Sequence, residues 1–112
     1  MEAESRPAAS SRPVVAITTV GDDRAVLTFS GDLDADKLRE LEERLLDPRL
    51  RDAREWVLEM SDLAHLDLAC AYALLRAATR PEGVALTVRG ARRSVQRTLR
   101  HADVDAVAVI EE

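Results

Sequence analysis

The stretch "RAVLTFSGDLDADKLRELEERLLDP" (residues 24–48) changes its hydrophobic period halfway along, and that change decides the fold. Its first part, residues 24–30, is a β-branched run of the kind that forms a strand. In its second part Leu38, Leu41 and Leu45 recur at helical spacing among charged residues. Asp34 or Asp36 stands where a helix N-cap belongs, and both acids suit the positive end of a helix. Pro48 forces a stop near Asp47, because the residue before a proline is pushed out of the helical region.

Upstream, "PVVAITTV" (13–20) is a second β-branched run, separated from the first by Gly21-Asp22-Asp23, which predicts an antiparallel hairpin. Downstream, "REWVLEM" (54–60) reads as a strand with Trp56, Leu58 and Met60 on one face. "LACAYALLRAATR" (68–80) is apolar almost all round, so it predicts a helix packed on more than one side, ended by Pro81-Glu82-Gly83. "VALTV" (84–88) reads as a short buried strand. "ARRSVQRTLRHA" (91–102) reads as a helix with a narrow stripe of Ala91, Val95, Leu99 and Ala102, and its Arg92, Arg93, Arg97 and Arg100 as a solvated outer face. "AVAVI" (106–110) closes the chain as a strand. The order is β-β-α-β-α-β-α-β. Strand-helix-strand steps with short loops demand parallel neighbours joined by right-handed crossovers. The expected fold is a single α/β domain over residues 13–112, with a mixed, mostly parallel sheet and helices largely on one face. Residues 1–12, polar and without periodicity, are expected to be a mobile tail.

Composition narrows the function. The 112 residues are 46% hydrophobic and 33% charged, as in an ordinary globular domain. Aromatics make up only 3%, too few to offer the stacking rings that single-stranded nucleic acid needs, and a net charge of -5 argues against nucleic acid generally. No apolar run is long enough for direct membrane insertion, and the N-terminus lacks an apolar signal core, so the expected location is cytoplasmic. The single cysteine permits no internal disulfide.

Catalytic constellations are missing. His65 and His101 stand alone, and no serine or cysteine sits in a recognisable nucleophile setting. Cys70, flanked by Ala69 and Ala71, reads as a small buried core residue. There is no glycine-rich phosphate loop and no Cys or His pair at metal-ligand spacing, so neither cofactor nor metal is expected. A phospho-accepting Mg²⁺ site would need a lysine on a later strand, but the only lysine is Lys37 in the first helix. What remains is a surface. In open α/β sheets functional loops gather beyond the carboxyl ends of the parallel strands. Here those are 30–35, 61–67 and 89–91, contributing Asp32, Asp34, Asp62 and Asp67 with Arg89, Arg92 and Arg93 nearby. Each acid alone suits a cap or a loop, whereas several on one rim suggest a polar recognition surface.

"LTFSGDLDADKLRELEERL", "WVLEMSDLAHLDLACAYALLRAA" and "VALTVRGARRSVQRTLRHADVD", in that order and spacing, resemble the STAS domain of sulfate transporters and anti-sigma-factor antagonists. Gly31-Asp32-Leu33-Asp34 before the first helix and the stretch around Asp67 carry most of the likeness. The resemblance implies a non-catalytic module that binds an anti-sigma factor of the ATP-dependent serine-kinase type, or another ATPase subunit. It also implies a phospho-acceptor serine at the start of the second helix, in a motif such as Asp-Ser-Ser-Gly. Laid over this chain, the aspartate is Asp67, the two hydroxyl positions are Leu68 and Ala69, and Cys70 replaces the glycine. The acceptor place is thus held by Ala69, and no phosphorylation is expected there. The partner-binding residues so implied are Asp32, Asp34, Asp62, Asp67, Leu68 and Ala69. A second role open to the same resemblance is an accessory or scaffold subunit of a larger assembly, such as a lipid-transporting ABC ATPase.

Overall fold

The computed structural model describes residues 14–79 and 83–111, so the tail expected over residues 1–12 lies outside the described residues. Five strands form one sheet in sequential order: β1 (Val15–Val20), β2 (Arg24–Leu33), β3 (Glu55–Leu66), β4 (Ala85–Arg89) and β5 (Ala108–Ile110). β1 pairs antiparallel with β2, and all later neighbours are parallel. The helices α1 (Leu38–Arg44), α2 (Pro48–Asp52), α3 (Leu68–Ala78) and α4 (Arg93–His101) fill the crossovers. Each crossover steps one strand along the sheet, and α1, α3 and α4 form a layer with α3 in the middle, touching both neighbours. Between layer and sheet lies a mainly aliphatic core, in which Trp56 and Phe29 are the largest buried side chains. Among the described residues it contains no buried charge.

Several sequence expectations need correction. The segments 30–33 and 61–66, read as loops, are strand: β2 and β3 keep pairing through Leu33↔Leu66, well past the end of β4. Two register shifts, between Thr28/Ser30 and Gly31/Asp32, each place one extra residue on β3. The bulges turn its alternation into a spacing of three, so that Met60, Leu63 and Leu66 all face the core. Such spacing matches neither strand nor helix period, which is why it reads as loop. Gly31 sits at φ +79°, a conformation open to glycine at a bulge.

The first helix begins later and ends earlier than its leucines suggest. A 3-10 turn (Ala35–Lys37) precedes α1, and neither Asp34 nor Asp36 caps it: Asp34 holds the N-cap position without a side-chain hydrogen bond, and Asp36 lies in the first turn. Pro48 opens a helix as well as closing one. It is the first residue of α2, where its missing N–H costs nothing. The Asp47 carboxylate accepts from Arg49 N at 2.8 Å, and Arg49 Nη1 reaches the Ile17 carbonyl of β1 at 2.8 Å. The Arg49 guanidinium and N–H hold Asp47 down to about 2.

α3 is packed on more than one side, as expected, with α1 and α4 as neighbours and the core beneath, but one stripe of it stays open. Cys70, Ala71, Ala73, Leu74 and Ala78 are buried, but Leu68 and Tyr72 are 39% and 41% exposed, and Arg76 and Thr79 continue that open stripe. Among the described residues nothing packs over the outer surface of the three-helix layer, so even an apolar helix there keeps one exposed face. The stripe on α4 is as expected, with Ala91, Val95, Leu99 and Ala102 all buried. The last strand is shorter than expected, because residues 104–106 form a 3-10 turn.

Candidate partner-binding surface

The surface is built around the start of α3. Asp67 joins three elements. Its N–H donates to the Leu33 carbonyl at 2.9 Å, tying the end of β3 to the end of β2. Its carbonyl accepts from Cys70 N at 3.0 Å and Ala71 N at 3.1 Å, and its Oδ2 accepts from Ala69 N at 2.9 Å. Asp67 is therefore a side-chain N-cap, and it satisfies donors that the first helical turn leaves without partners. One turn in, the Cys70 thiol points inward and donates to the Asp34 carbonyl at 3.5 Å. It is fully buried, and burial, reinforced by the negative charges of Asp67 and Asp34, pushes the thiol up to about 11. A protonated thiol of this kind packs and donates but is no nucleophile.

With its inward side so fastened, the first turn of α3 presents Leu68 outward, followed one turn later by Tyr72. Next to it stands the rim made by the bulged strand ends. Asp32 is opposite His65 in the register, and the Asp34 carboxylate approaches His65 Nε2 at 3.5 Å. His65, which stands alone in the sequence, is thus part of the surface; only the bulges bring it there, and these have no signature in composition. The Lys37 ammonium donates to the Asp32 carbonyl at 3.4 Å. Asp62 lies lower on the same strand pair, opposite Ser30, and is exposed. Asp32, Asp34, Asp67, Leu68 and Ala69 therefore converge, with Asp62 at the margin.

The basic residues of the third loop separate. Arg89 is held by Glu111 at 3.3 Å. Arg92 and Arg93 begin α4, beyond Gly90, which has φ +72° and backs directly onto Ser61. Among the described residues no group of three His, Cys, Asp or Glu side chains is placed to hold a metal ion, and no helix is long and apolar enough to cross a membrane. A concavity of about 360 Å³ lies at the other end of α3, where Leu45, Leu46, Leu50 and Trp56 meet Ala73 and Ala77; Arg76 and Glu42 pair at its mouth at 3.4 Å.

A family model described as "Mlab, STAS domain" matches residues 17–111. No curated protein sequence matches the chain. Among solved structures, the chain is similar to the anti-sigma factor antagonist SpoIIAA in its unphosphorylated form, at a TM-score of 0.65 and 11% identity over 88% of both chains. It is also similar to an anti-sigma factor antagonist from Mycobacterium paratuberculosis, at a TM-score of 0.69 and 14% identity over 86% of this chain and 82% of that one. A third similar structure is the Bacillus cell fate determinant SpoIIAA in the phosphorylated form, at a TM-score of 0.62 and 11% identity, covering 88% and 91%. At such identities the likeness is one of fold.

Proposed function

The chain belongs to the STAS domain family, and on that premise we propose that it is a non-catalytic protein-binding module of the anti-sigma-factor-antagonist kind, lacking the phosphorylation switch. Its partner in this reading is a cytoplasmic anti-sigma factor of the serine-kinase type, docked on Leu68, Ala69 and the rim of Asp32, Asp34, Asp62 and Asp67. The observation that carries the proposal is the N-cap at Asp67, whose carboxylate receives the N–H of Ala69. The turn that the family resemblance implies for an acceptor serine is intact, yet it holds a methyl group. Phosphorylation at such a place brings nearly two negative charges and disrupts docking. Without a hydroxyl at Leu68 or Ala69, and with the Cys70 thiol turned inward, that route to release is closed.

Incubation with a serine-kinase anti-sigma factor of the same genome and ATP is expected to give a stable complex and no phosphoprotein. Ala69→Ser with Cys70→Gly is expected to restore labelling. Labelling of the unaltered chain at Ser61 or Ser94, or no complex with any such kinase, would remove the proposal.

The open stripe of Leu68 and Tyr72 favours a second reading, an accessory or scaffold subunit of a larger assembly such as a lipid-transporting ABC ATPase. An exposed apolar helix face suits a permanent contact better than a switched one. Purification of the chain from its host with only ATPase transporter subunits attached would select this reading.

A further inference from the structure

We propose that the outward face of α4 is a docking surface for an acidic helical segment of a partner protein, with Arg93 and Arg97 each taking a carboxylate. Val95 and Leu99 are the buried residues of this helix. At about 3.6 residues per turn, Arg93 and Arg97 stand on the opposite side, one turn apart, and both are exposed. Together with Gln96 and His101 they border one open depression along α4. Arg100 borders it too, but is already engaged within the chain.

Folding does not account for these side chains. Like charges one turn apart weaken the helix that carries them. Arg92 and Arg93 add cations at its positive end, where no side chain caps it. On α1 the exposed cations Arg39 and Arg44 are interleaved with Glu40, Glu42 and Glu43, whereas α4 contains no acid. Among the described residues none forms an ion pair with Arg92, Arg93 or Arg97. An arrangement that disfavours its own helix without an offsetting contact marks a site of use.

The chemistry of the face selects the partner. A guanidinium takes a carboxylate or a phosphate through two parallel hydrogen bonds, so the partner is anionic. A bilayer matches poorly: the apolar stripe of α4 is buried, so the helix has nothing to sink among acyl chains, and an anionic plane repels a chain of net charge -5. Nucleic acid likewise spreads its phosphates far beyond α4, where the same net charge opposes it. An acidic helix is narrow enough to address α4 alone, and glutamates at i and i+4 repeat the spacing of Arg93 and Arg97.

This surface does not rest on the docking of a kinase at Leu68. Because α4 touches α3, a partner seated there would find a second foothold beside the first, and only that consequence rests on the docking reading.

The probe is a synthetic alanine-based peptide of about 20 residues with glutamates one turn apart along one face, titrated into the isotope-labelled full chain at low salt. Shifts of the α4 amide resonances are expected, with a dissociation constant of about 0.1 mM. Binding is expected to fade as salt rises toward about 1 M, where the Debye length shrinks to about 3 Å. R93E/R97E is expected to remain folded by circular dichroism, since an acid suits the helix start, and to weaken binding about 10-fold or more. R39E/R44E changes the net charge equally but on α1, and is expected to leave binding within about 2-fold. A peptide of the same composition with its glutamates scattered around the helix is expected to bind more weakly. No shift at α4 up to about 1 mM peptide, equal binding of the scattered peptide, or equal losses from the two double variants would overturn the proposal. So would phosphatidylglycerol vesicles or duplex DNA that bind more tightly than the peptide and are released by R93E/R97E. Absence of any kinase complex would remove the docking reading and leave the peptide result standing.

Discussion

α3 and α4 leave the same sheet in the same direction, yet they begin in different ways and turn different chemistry outward. α3 is started by a side chain: Asp67 caps it, Cys70 ties it to Asp34, and apolar Leu68 and Tyr72 remain outside. α4 has no side-chain cap and follows a glycine at φ +72°, with arginines on its outer face. Both bury the same kind of stripe, so packing does not account for the difference. A buried face can thus be conserved in kind between two helices while the outer faces serve different ends.

The comparison can be broken most severely from inside. Leu74→Asp puts an unpaired charge where the side chain is 1% exposed and is expected to abolish the cooperative thermal transition, whereas Tyr72→Asp on the open stripe is expected to leave it in place. A circular-dichroism melt of the two variants tests whether the faces of α3 are as unequal as described. Next in size is Gly90→Ala, which combines a left-handed backbone with a Cβ directed at Ser61. A loss of about 1–3 kcal/mol by urea denaturation is expected. Asp67→Ala is expected to cost about 1 kcal/mol through the lost cap. Its counterpart Arg92→Asp supplies α4 with the cap it lacks and is expected to stabilise by about 0.5–1 kcal/mol; an unchanged or lower midpoint would show that the two helix starts are equivalent after all. Smallest is the pH effect at α2, the other capped start. Because Arg49 holds Asp47 at about 2, below the ordinary 3.8, the contribution is present above pH 3.8 and fades as pH falls toward 2. Asp47→Asn is expected to flatten that part of the stability–pH curve.

Alternation and helical spacing made most of the fold legible: the hairpin, the three main crossovers and the buried stripe of α4 follow from local patterns. What escaped depended on non-local pairing. The strand extensions around Asp32 and His65 exist because two bulged backbones pair with each other, and the spacing of Met60, Leu63 and Leu66 gives no hint of it. α2 is hidden because the same proline that ends one helix can open the next, and a single Pro48 signals both alike. Of the candidate site, Asp67 as a cap was readable from its place before an apolar run, and the exposure of Leu68 was not, since hydrophobicity alone does not tell which side of a helix a neighbour will cover.

The contact between Arg49 and the Ile17 carbonyl bears on aggregation. A peripheral strand offers unpaired amides and carbonyls to any passing chain. In β1 the Ile17 carbonyl is already engaged by the guanidinium of Arg49, and at the opposite margin β5 is three residues long. Each border of the sheet is therefore partly blunted against strand addition, β1 at Ile17 and β5 by its shortness. Loss of Arg49 would free the Ile17 carbonyl for pairing with another chain, a different failure from loss of stability.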